Sequence, residues 1–341
     1  MGPAAGSARA AEDAAPVRLG VLGCASIAWR RMLPALAGRP EVELVAIASR
    51  ELAKAERFSE RFGGEAVEGY ERLLARDDIE AVYIPLPLTL HAEWVERSLR
   101  ANLHVLCEKP LTGDLADSER LVKLADELGL TLMESLMFVR HSQHRAVREI
   151  IDAGVIGEIL SLTAEFAFPS KPSGDMRHHP VGGGALAEIG VYPIRTALLY
   201  LGDRLDVLGA GMRREPRLGV DLSGAALLAT PDGIPAHLTW GMEHAYRSAY
   251  EIWGSVGRVV VEWAYTLPAT HAPVIRIETQ GREERRTLAP DDQFGNVLTA
   301  FARAIRTGED DGLQREEILR LAALLDRIRA HAVAPPGGDD E

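Results

Sequence analysis

The alternation of bare apolar runs with amphipathic stretches constrains the fold of this chain more than any other feature. Residues 17–23 (VRLGVLG), 42–49 (VELVAIAS), 81–85, 103–107 (LHVLC) and 131–134 are short apolar runs with little polar alternation. Runs of this kind suit parallel strands covered on both faces. The stretches between them have helical spacing. Over residues 115–128, Leu121, Leu124, Ala125 and Leu128 recur three and four apart, with Asp114 placed to cap the start and Gly129 just past the end. The resulting βαβαβ order predicts a doubly wound parallel sheet with right-handed crossovers, a Rossmann-type α/β domain.

After about residue 157 the pattern changes. Residues 159–168 form one long extended run. Residues 225–229 and 236–240 flank Pro231-Asp232-Gly233, residues 250–253 and 258–263 flank a Gly-Ser-Val-Gly turn, and residues 274–279 and 285–288 flank Gln280-Gly281. Three successive hairpin signals predict a large, open, mainly antiparallel sheet. Helical stretches near 292–306 and 315–331 close the chain. The organisation expected is a disordered tail over 1–16, a dinucleotide-binding Rossmann domain over 17–136, a substrate and oligomerisation domain over 137–333, and a tail over 334–341.

Composition removes several function classes. The net charge of −12 argues against general nucleic-acid binding. No apolar run reaches the roughly 20 residues of a membrane span, and residues 1–16 lack the apolar segment of a signal peptide. Cys24 and Cys107 are the only cysteines, too few for a disulfide framework or a zinc site. The expectation is a cytoplasmic protein with no metal.

The first strand runs into Gly23-Cys24-Ala25-Ser26-Ile27-Ala28, the dinucleotide loop G-x-G-x-x-G/A with Ala in second place. Gly23 permits the tight turn, Ala25 lets the backbone approach a pyrophosphate, and Ala28 lets the helix pack near the strand. An ordinary strand-to-helix turn would read similarly. The second strand ends Ala48-Ser49-Arg50, where NAD enzymes usually carry Asp or Glu for the ribose 2′-hydroxyl. Ser49 and Arg50, joined by Lys54 one helical turn on, suit a 2′-phosphate instead, so NADP(H) is the expected cofactor. Glu51 argues the other way, and Ser49 also reads as a simple helix cap.

Glu108-Lys109-Pro110 follows the fourth apolar run, at the strand end where open α/β sheets place ligands. Lys109 there can point at a nicotinamide and its substrate, although a lone strand-end lysine is more often a surface charge. The second cluster is Gly182-Gly183-Gly184 followed by Glu188 and Tyr192, four apart on one expected helical face. A carboxylate and a phenol form a proton-handling pair, and a nearby ammonium favours the phenolate. A buried tyrosine with a satisfied hydroxyl is the alternative.

These motifs together resemble the glucose–fructose oxidoreductase / inositol dehydrogenase family over about residues 17–330. Glu-Lys-Pro stands at 108–110, the strand-three motif at 83–91, and Gly-Gly-Gly-x-Leu-x-Asp-x-Gly-x-His/Tyr at 182–192. Glu188 departs from the pattern, which has Asp there. The resemblance implies catalysis by Lys109 and Tyr192. It implies cofactor contacts from Gly23, Cys24, Ala25, Ser26, Ile27, Ser49, Arg50, Lys54, Leu86, His91, Glu108 and Lys109. Substrate contacts are implied from Lys109, Glu188 and Tyr192, and a homodimer or homotetramer through the open sheet. Arg177, His178 and His179, just before the glycine run, read either as contacts to a substrate diphosphate or as a solvated loop.

Residues 24–31, 138–144, 241–246 and 291–293 further resemble NDP-hexose 3-ketoreductases of deoxysugar biosynthesis. That branch implies NADPH-dependent reduction of the 3-keto group of a dTDP-linked 4-keto-6-deoxy sugar. An NADP-dependent aldose 1-dehydrogenase and a non-catalytic dinucleotide-binding regulator are the rival readings. Trp240, Trp253 and Trp263 are expected in the core, Tyr246 and Tyr250 on the sheet, and Arg30 and Arg31 as solvated helix charges.

Overall fold

The computed structural model describes residues 15–170, 183–217, 219–308 and 314–333. The expected tails lie almost wholly outside them. The chain divides into two compact units. One comprises residues 1–137 with 293–319, the other residues 138–292 with 320–341.

The first unit is built on a six-stranded parallel sheet ordered β3-β2-β1-β4-β5-β6. Its strands are β1 (Val17–Leu22), β2 (Val42–Ser49), β3 (Glu65–Glu68), β4 (Ala81–Ile84), β5 (His104–Glu108) and β6 (Leu132–Ser135). This is the dinucleotide-binding order, with the switch point between β1 and β4. The apolar runs became strands because both faces are covered: all four residues of β4 are buried. β3 is the exception. Its sequence, Glu-Ala-Val-Glu, buries only Val67 and lies at the sheet edge, so it leaves no apolar run to read.

Helix Leu115–Leu128 begins where expected. The Asp114 carboxylate accepts the Asp117 N–H at 2.9 Å, and Gly129 ends the helix in the left-handed region at φ 66°.

Residues 293–319 lie within the span 137–333 expected for the second domain. They belong to the first unit. Helix Gln293–Thr307 buries Phe294, Val297, Leu298, Phe301 and Ala302 there. The Arg39 guanidinium bonds Thr299 Oγ1 at 3.3 Å and lies where a side chain at Gly295 would stand. Arg306 and Arg18 both engage Glu80, whose carboxyl is held down at about 2, chiefly by the Arg306 hydrogen bonds.

The second unit carries a nine-stranded sheet ordered β14-β13-β12-β11-β7-β10-β9-β8-β15. Its strands are β7 (Ile159–Ala167), β8 (Asp206–Glu215), β9 (Val220–Ala229), β10 (Pro235–Gly241), β11 (Arg247–Gly254), β12 (Gly257–Glu262), β13 (Val274–Thr279), β14 (Arg282–Thr287) and β15 (Ala332–Val333). The three expected hairpins are present as β9–β10, β11–β12 and β13–β14. The β7–β10 and β8–β15 pairs are parallel, so the sheet is mixed but mainly antiparallel.

Trp240 is fully buried, as expected. Trp253 and Trp263 are 58% and 47% exposed, which corrects their expected place in the core. Trp253 is exposed on β11, and Trp263 follows β12 with a positive φ of 63°. Tyr250 is buried in the sheet, while Tyr246 is exposed and lies tilted against Trp263 with ring centroids 5.4 Å apart.

Candidate active site

Gly23 leaves β1 at φ 124°, a conformation L side chains rarely adopt, and its N–H bonds Ala48 O at 3.0 Å. A Cβ at this position would stand 2.6 Å from Leu86 Cδ2, so the turn closes directly on Leu86. Ala28 is fully buried and begins a wide helical turn, Ala28–Met32, continued by helix Leu33–Leu36. Cys24 and Ala25 follow in the loop, and Ser26 and Ile27 already open the helix; none of the four is buried. This is a cradle closed to larger side chains at the turn and open at the helix start, which fits a dinucleotide pyrophosphate. Arg30 is exposed and Arg31 half-buried, consistent with helix charges.

Cys24, Ser49, Lys54, Arg50 and Tyr70 gather at the ends of β1 and β2. Burial pushes the Cys24 thiol up to about 11, against the Lys54 charge and a hydrogen bond with Ser49. The thiol is therefore protonated at neutral pH and no nucleophile. Ser49 is buried, and its hydroxyl accepts the Glu51 N–H at 3.3 Å; Glu51, not Ser49, is the N-cap of helix Leu52–Phe62, so Ser49 shapes the turn without capping the helix. Arg50 and Lys54 are both exposed, and Arg50 also hydrogen-bonds the Tyr70 hydroxyl. Tyr70 escaped the sequence reading because a tyrosine opening a five-residue helix carries no motif.

Lys109 sits in a backbone held on both sides. Before it, Glu108 Oε1 accepts the hydroxyl of Tyr83 at 2.7 Å. After it, the Lys109–Pro110 peptide is cis, the Pro110 carbonyl meets His91 Nδ1 at 2.9 Å, and the Leu111 N–H donates to Glu134 Oε1 at 2.7 Å. Side chains from β4, from helix His91–Arg100 and from β6 thus pin residues 108, 110 and 111. Glu108 serves the lysine's backbone, and His91, expected beside a cofactor, has both ring nitrogens against carbonyls. Tyr83 opens the motif at 83–91 but is given no role by it, and Glu134 lies outside the site residues expected from the sequence.

In the second unit, Tyr192 lies in helix Val191–Leu201, which continues the wide turn Leu186–Gly190. The wide turn carries Glu188, four residues before Tyr192. Gly184 is required where the chain passes Asp221. A Cβ there would stand 2.4 Å from the carboxylate, which accepts the Leu186 N–H at 2.7 Å and caps the turn. Burial raises the Asp221 pKa, opposed by that hydrogen bond.

The Tyr192 ring is 5% exposed and packs on Phe166, Tyr265 and Phe138 at centroid distances of 4.9, 5.5 and 5.6 Å. The Thr196 hydroxyl donates to the Tyr192 carbonyl at 2.9 Å and shares a 3.2 Å hydrogen bond with the Tyr265 hydroxyl. The ring is held from three sides. Of these supports only Phe138 falls in a segment that the sequence marks, the one at 138–144. Arg177, His178, His179 and Gly182 lie outside the described residues.

Among the described residues no group of three or more His, Cys, Asp or Glu is arranged to hold a metal ion, and no helix is long and apolar enough to cross a membrane.

Residues 17–136 match the model of the GFO/IDH/MocA oxidoreductase family, NAD-binding Rossmann fold, and residues 144–260 match the GFO/IDH/MocA C-terminal domain. The chain belongs to the GFO/IDH/MocA oxidoreductase family. Among its relatives, a dTDP-3,4-didehydro-2,6-dideoxy-α-D-glucose 3-reductase from Actinomadura kijaniata is 53% identical over 94% of this chain and 97% of that one. A D-xylose 1-dehydrogenase (NADP+) from Haloferax volcanii is 34% identical over 91% of this chain and 95% of that one. The crystal structure of KijD10, a 3-ketoreductase from A. kijaniata in complex with NADP and TDP-benzene, superposes with a TM-score of 0.91. It is 53% identical and covers 94% of this chain and all of that one. Further KijD10 structures carry replacements of one lysine or one tyrosine.

Proposed function

We infer that this GFO/IDH/MocA oxidoreductase reduces the C3 keto group of a dTDP-linked 4-keto-6-deoxy sugar with NADPH, a step of deoxysugar biosynthesis. The observation that carries the reading is the likeness to dTDP-sugar 3-reductases along nearly the whole chain, at 53% identity against 34% for the aldose dehydrogenase. The residues support it independently, through a dinucleotide cradle, two exposed cations where a ribose acid would stand, and a braced Lys109. A regulator without chemistry has no use for that bracing.

The bound nicotinamide supplies the hydride. The loop over residues 23–27 holds the pyrophosphate on its N–H groups, and Arg50 and Lys54 take the 2′-phosphate, with Ser49 shaping the turn beneath them. Lys109 holds the carbonyl oxygen of the sugar and stabilises the negative charge that grows on it as the carbon is reduced. Tyr192 gives that oxygen its proton, and the Lys109 charge eases the loss of the phenol proton. The balance is ketone plus NADPH plus one proton to alcohol plus NADP+. Glu188 and Arg177 are proposed substrate contacts.

Assembly as a homodimer or homotetramer through the large sheet is part of the same reading. Leu208 and Trp253, both more than half exposed on that sheet, support it. Light scattering on the eluting protein tests it, and a monomer would contradict it. The cytoplasm is the proposed location.

A direct test uses NADPH carrying deuterium at the transferable position, followed by NMR of the sugar product. Deuterium at C3 supports the reading. Oxidation of free xylose or glucose with NADP+, and no reaction of the nucleotide sugar, supports the aldose dehydrogenase instead.

A further inference from the structure

The His91 imidazole spans two backbone carbonyls. Nε2 lies 2.8 Å from Leu86 O and Nδ1 lies 2.9 Å from Pro110 O, in a ring whose residue is 1% exposed. The two carbonyls belong to different loops at the same edge of the parallel sheet. Leu86 follows β4 and forms the wall on which the Gly23 turn closes. Pro110 follows Lys109 across the cis peptide. One ring therefore ties the wall of the dinucleotide turn to the backbone that carries the reacting lysine.

A structural plug at this place would not be a histidine. Carbonyls only accept, and a neutral imidazole has one N–H, so it satisfies one of these partners at a time. Burial pulls the ring's pKa below its ordinary value, Lys109 adds to that, and the carbonyls of Leu86, Pro110 and Leu111 pull the other way. An apolar side chain of similar size would fill the space without the cost of burying a polar ring. What the histidine adds is one N–H that, according to the tautomer, donates to the Leu86 or to the Pro110 carbonyl, so a single ring lies against both loops and holds one of them by a hydrogen bond.

We propose that His91 is a positioning residue that fixes Lys109 relative to the dinucleotide turn, so that lysine and bound cofactor meet the substrate in register. The inference rests on the reading that Lys109 serves the sugar oxygen. Misplacing a reacting group by about 1 Å can cost on the order of 100-fold in rate, so a lost bridge is measurable.

The test is a double-mutant cycle of His91→Leu with Lys109→Ala, read as kcat and KM for the sugar, beside the NADPH Kd from protein fluorescence without turnover. The expected result is a roughly tenfold or larger fall in kcat for His91→Leu, a weaker NADPH Kd, little change in sugar KM, and a double variant no slower than Lys109→Ala alone. His91→Gln keeps one donor and is expected between the two. It carries the same cycle if the leucine variant does not fold.

Wild-type kcat in a folded His91→Leu, or losses that multiply in the double variant, would overturn the proposal. Normal turnover in Lys109→Ala would instead sink the reading of the lysine. The NADPH Kd then decides for His91: a weakened value supports its hold on the turn, and an unchanged one removes it.

Discussion

The Tyr83 hydroxyl donates to Glu108 Oε1 at 2.7 Å, reaching across from the strand next to the one that ends at Lys109. Tyr83 is fully buried, and the carboxylate beside it raises its pKa further after burial itself, so the phenol stays a donor throughout the neutral range. Tyr83→Phe leaves Glu108 one partner short. A hydrogen bond to a charged group contributes about 1.5–3 kcal/mol, and a thermal unfolding midpoint lowered accordingly is expected. Turnover should fall with it while the NADPH Kd holds. An unchanged midpoint and unchanged kcat would remove Tyr83 from the support of Lys109.

Lys109→Ala is expected to lower kcat by about 100-fold or more, because a charge aimed at the developing oxyanion is lost. Tyr192→Phe removes a proton donor and is expected to cost up to about 100-fold, less if water or Lys109 takes over the transfer. Steady-state kinetics of both variants check this. Near-normal turnover in both would sink the pair.

Arg50 and Lys54 are the exposed cations at the end of β2. Arg50→Ala should raise the KM for NADPH about tenfold and leave that for NADH nearly unchanged, as expected for a charge-assisted contact to a 2′-phosphate. Competing turnover with the two cofactors measures it. An equal effect on both would place Arg50 away from the phosphate and return the question to Ser49, whose hydroxyl already accepts the Glu51 N–H.

His144 is buried between Tyr250, 3.0 Å from Nδ1, and the Ala264 carbonyl, 3.1 Å from Nε2. Burial, helped by His141 and opposed by the Ala264 carbonyl, lowers its pKa from 6.5 to about 3. The folded protein therefore resists a proton that the unfolded chain accepts. The stabilisation is complete above pH 6.5 and is lost as pH falls toward 3. The slope is about 1.4 kcal/mol per pH unit for one such group. His91, His104 and His141 are lowered too and act in the same direction. Unfolding midpoints between pH 7.5 and 5 should fall, and less steeply in His144→Gln. An equal slope in the variant would contradict the assignment.

What the sequence made legible follows from what burial does to residue choice. Strands covered on both faces, such as β1, β2 and β4, need continuous apolar residues and show themselves. The edge strand β3, with one buried residue in four, does not. Hairpin turns announced β9 to β14 because Gly and Pro are demanded by their geometry. β8 has no tight turn before it, and its mixed burial hides it.

The same contrast holds at the site. Gly23 and the Glu108-Lys109-Pro110 run are readable because backbone shape and charge restrict those positions. Tyr83, His91 and Phe138 fall in segments that resemble the family, but their supporting roles, like those of Glu134, Phe166 and Tyr265, arise only where separate parts of the chain meet. Only folding brings them together. Helix Gln293–Thr307 packs on the first unit for a similar reason: its amphipathic spacing says that one face is buried, and nothing about against what.

The most direct test follows NADPH absorbance with a freshly generated dTDP-linked 3,4-diketo-6-deoxy sugar, beside NADH and free aldoses under the same conditions. Rapid NADPH consumption with the nucleotide sugar, slow or absent with NADH and with aldoses, is the predicted result. No consumption there, with NADP+ reduced by free xylose or glucose, would contradict it.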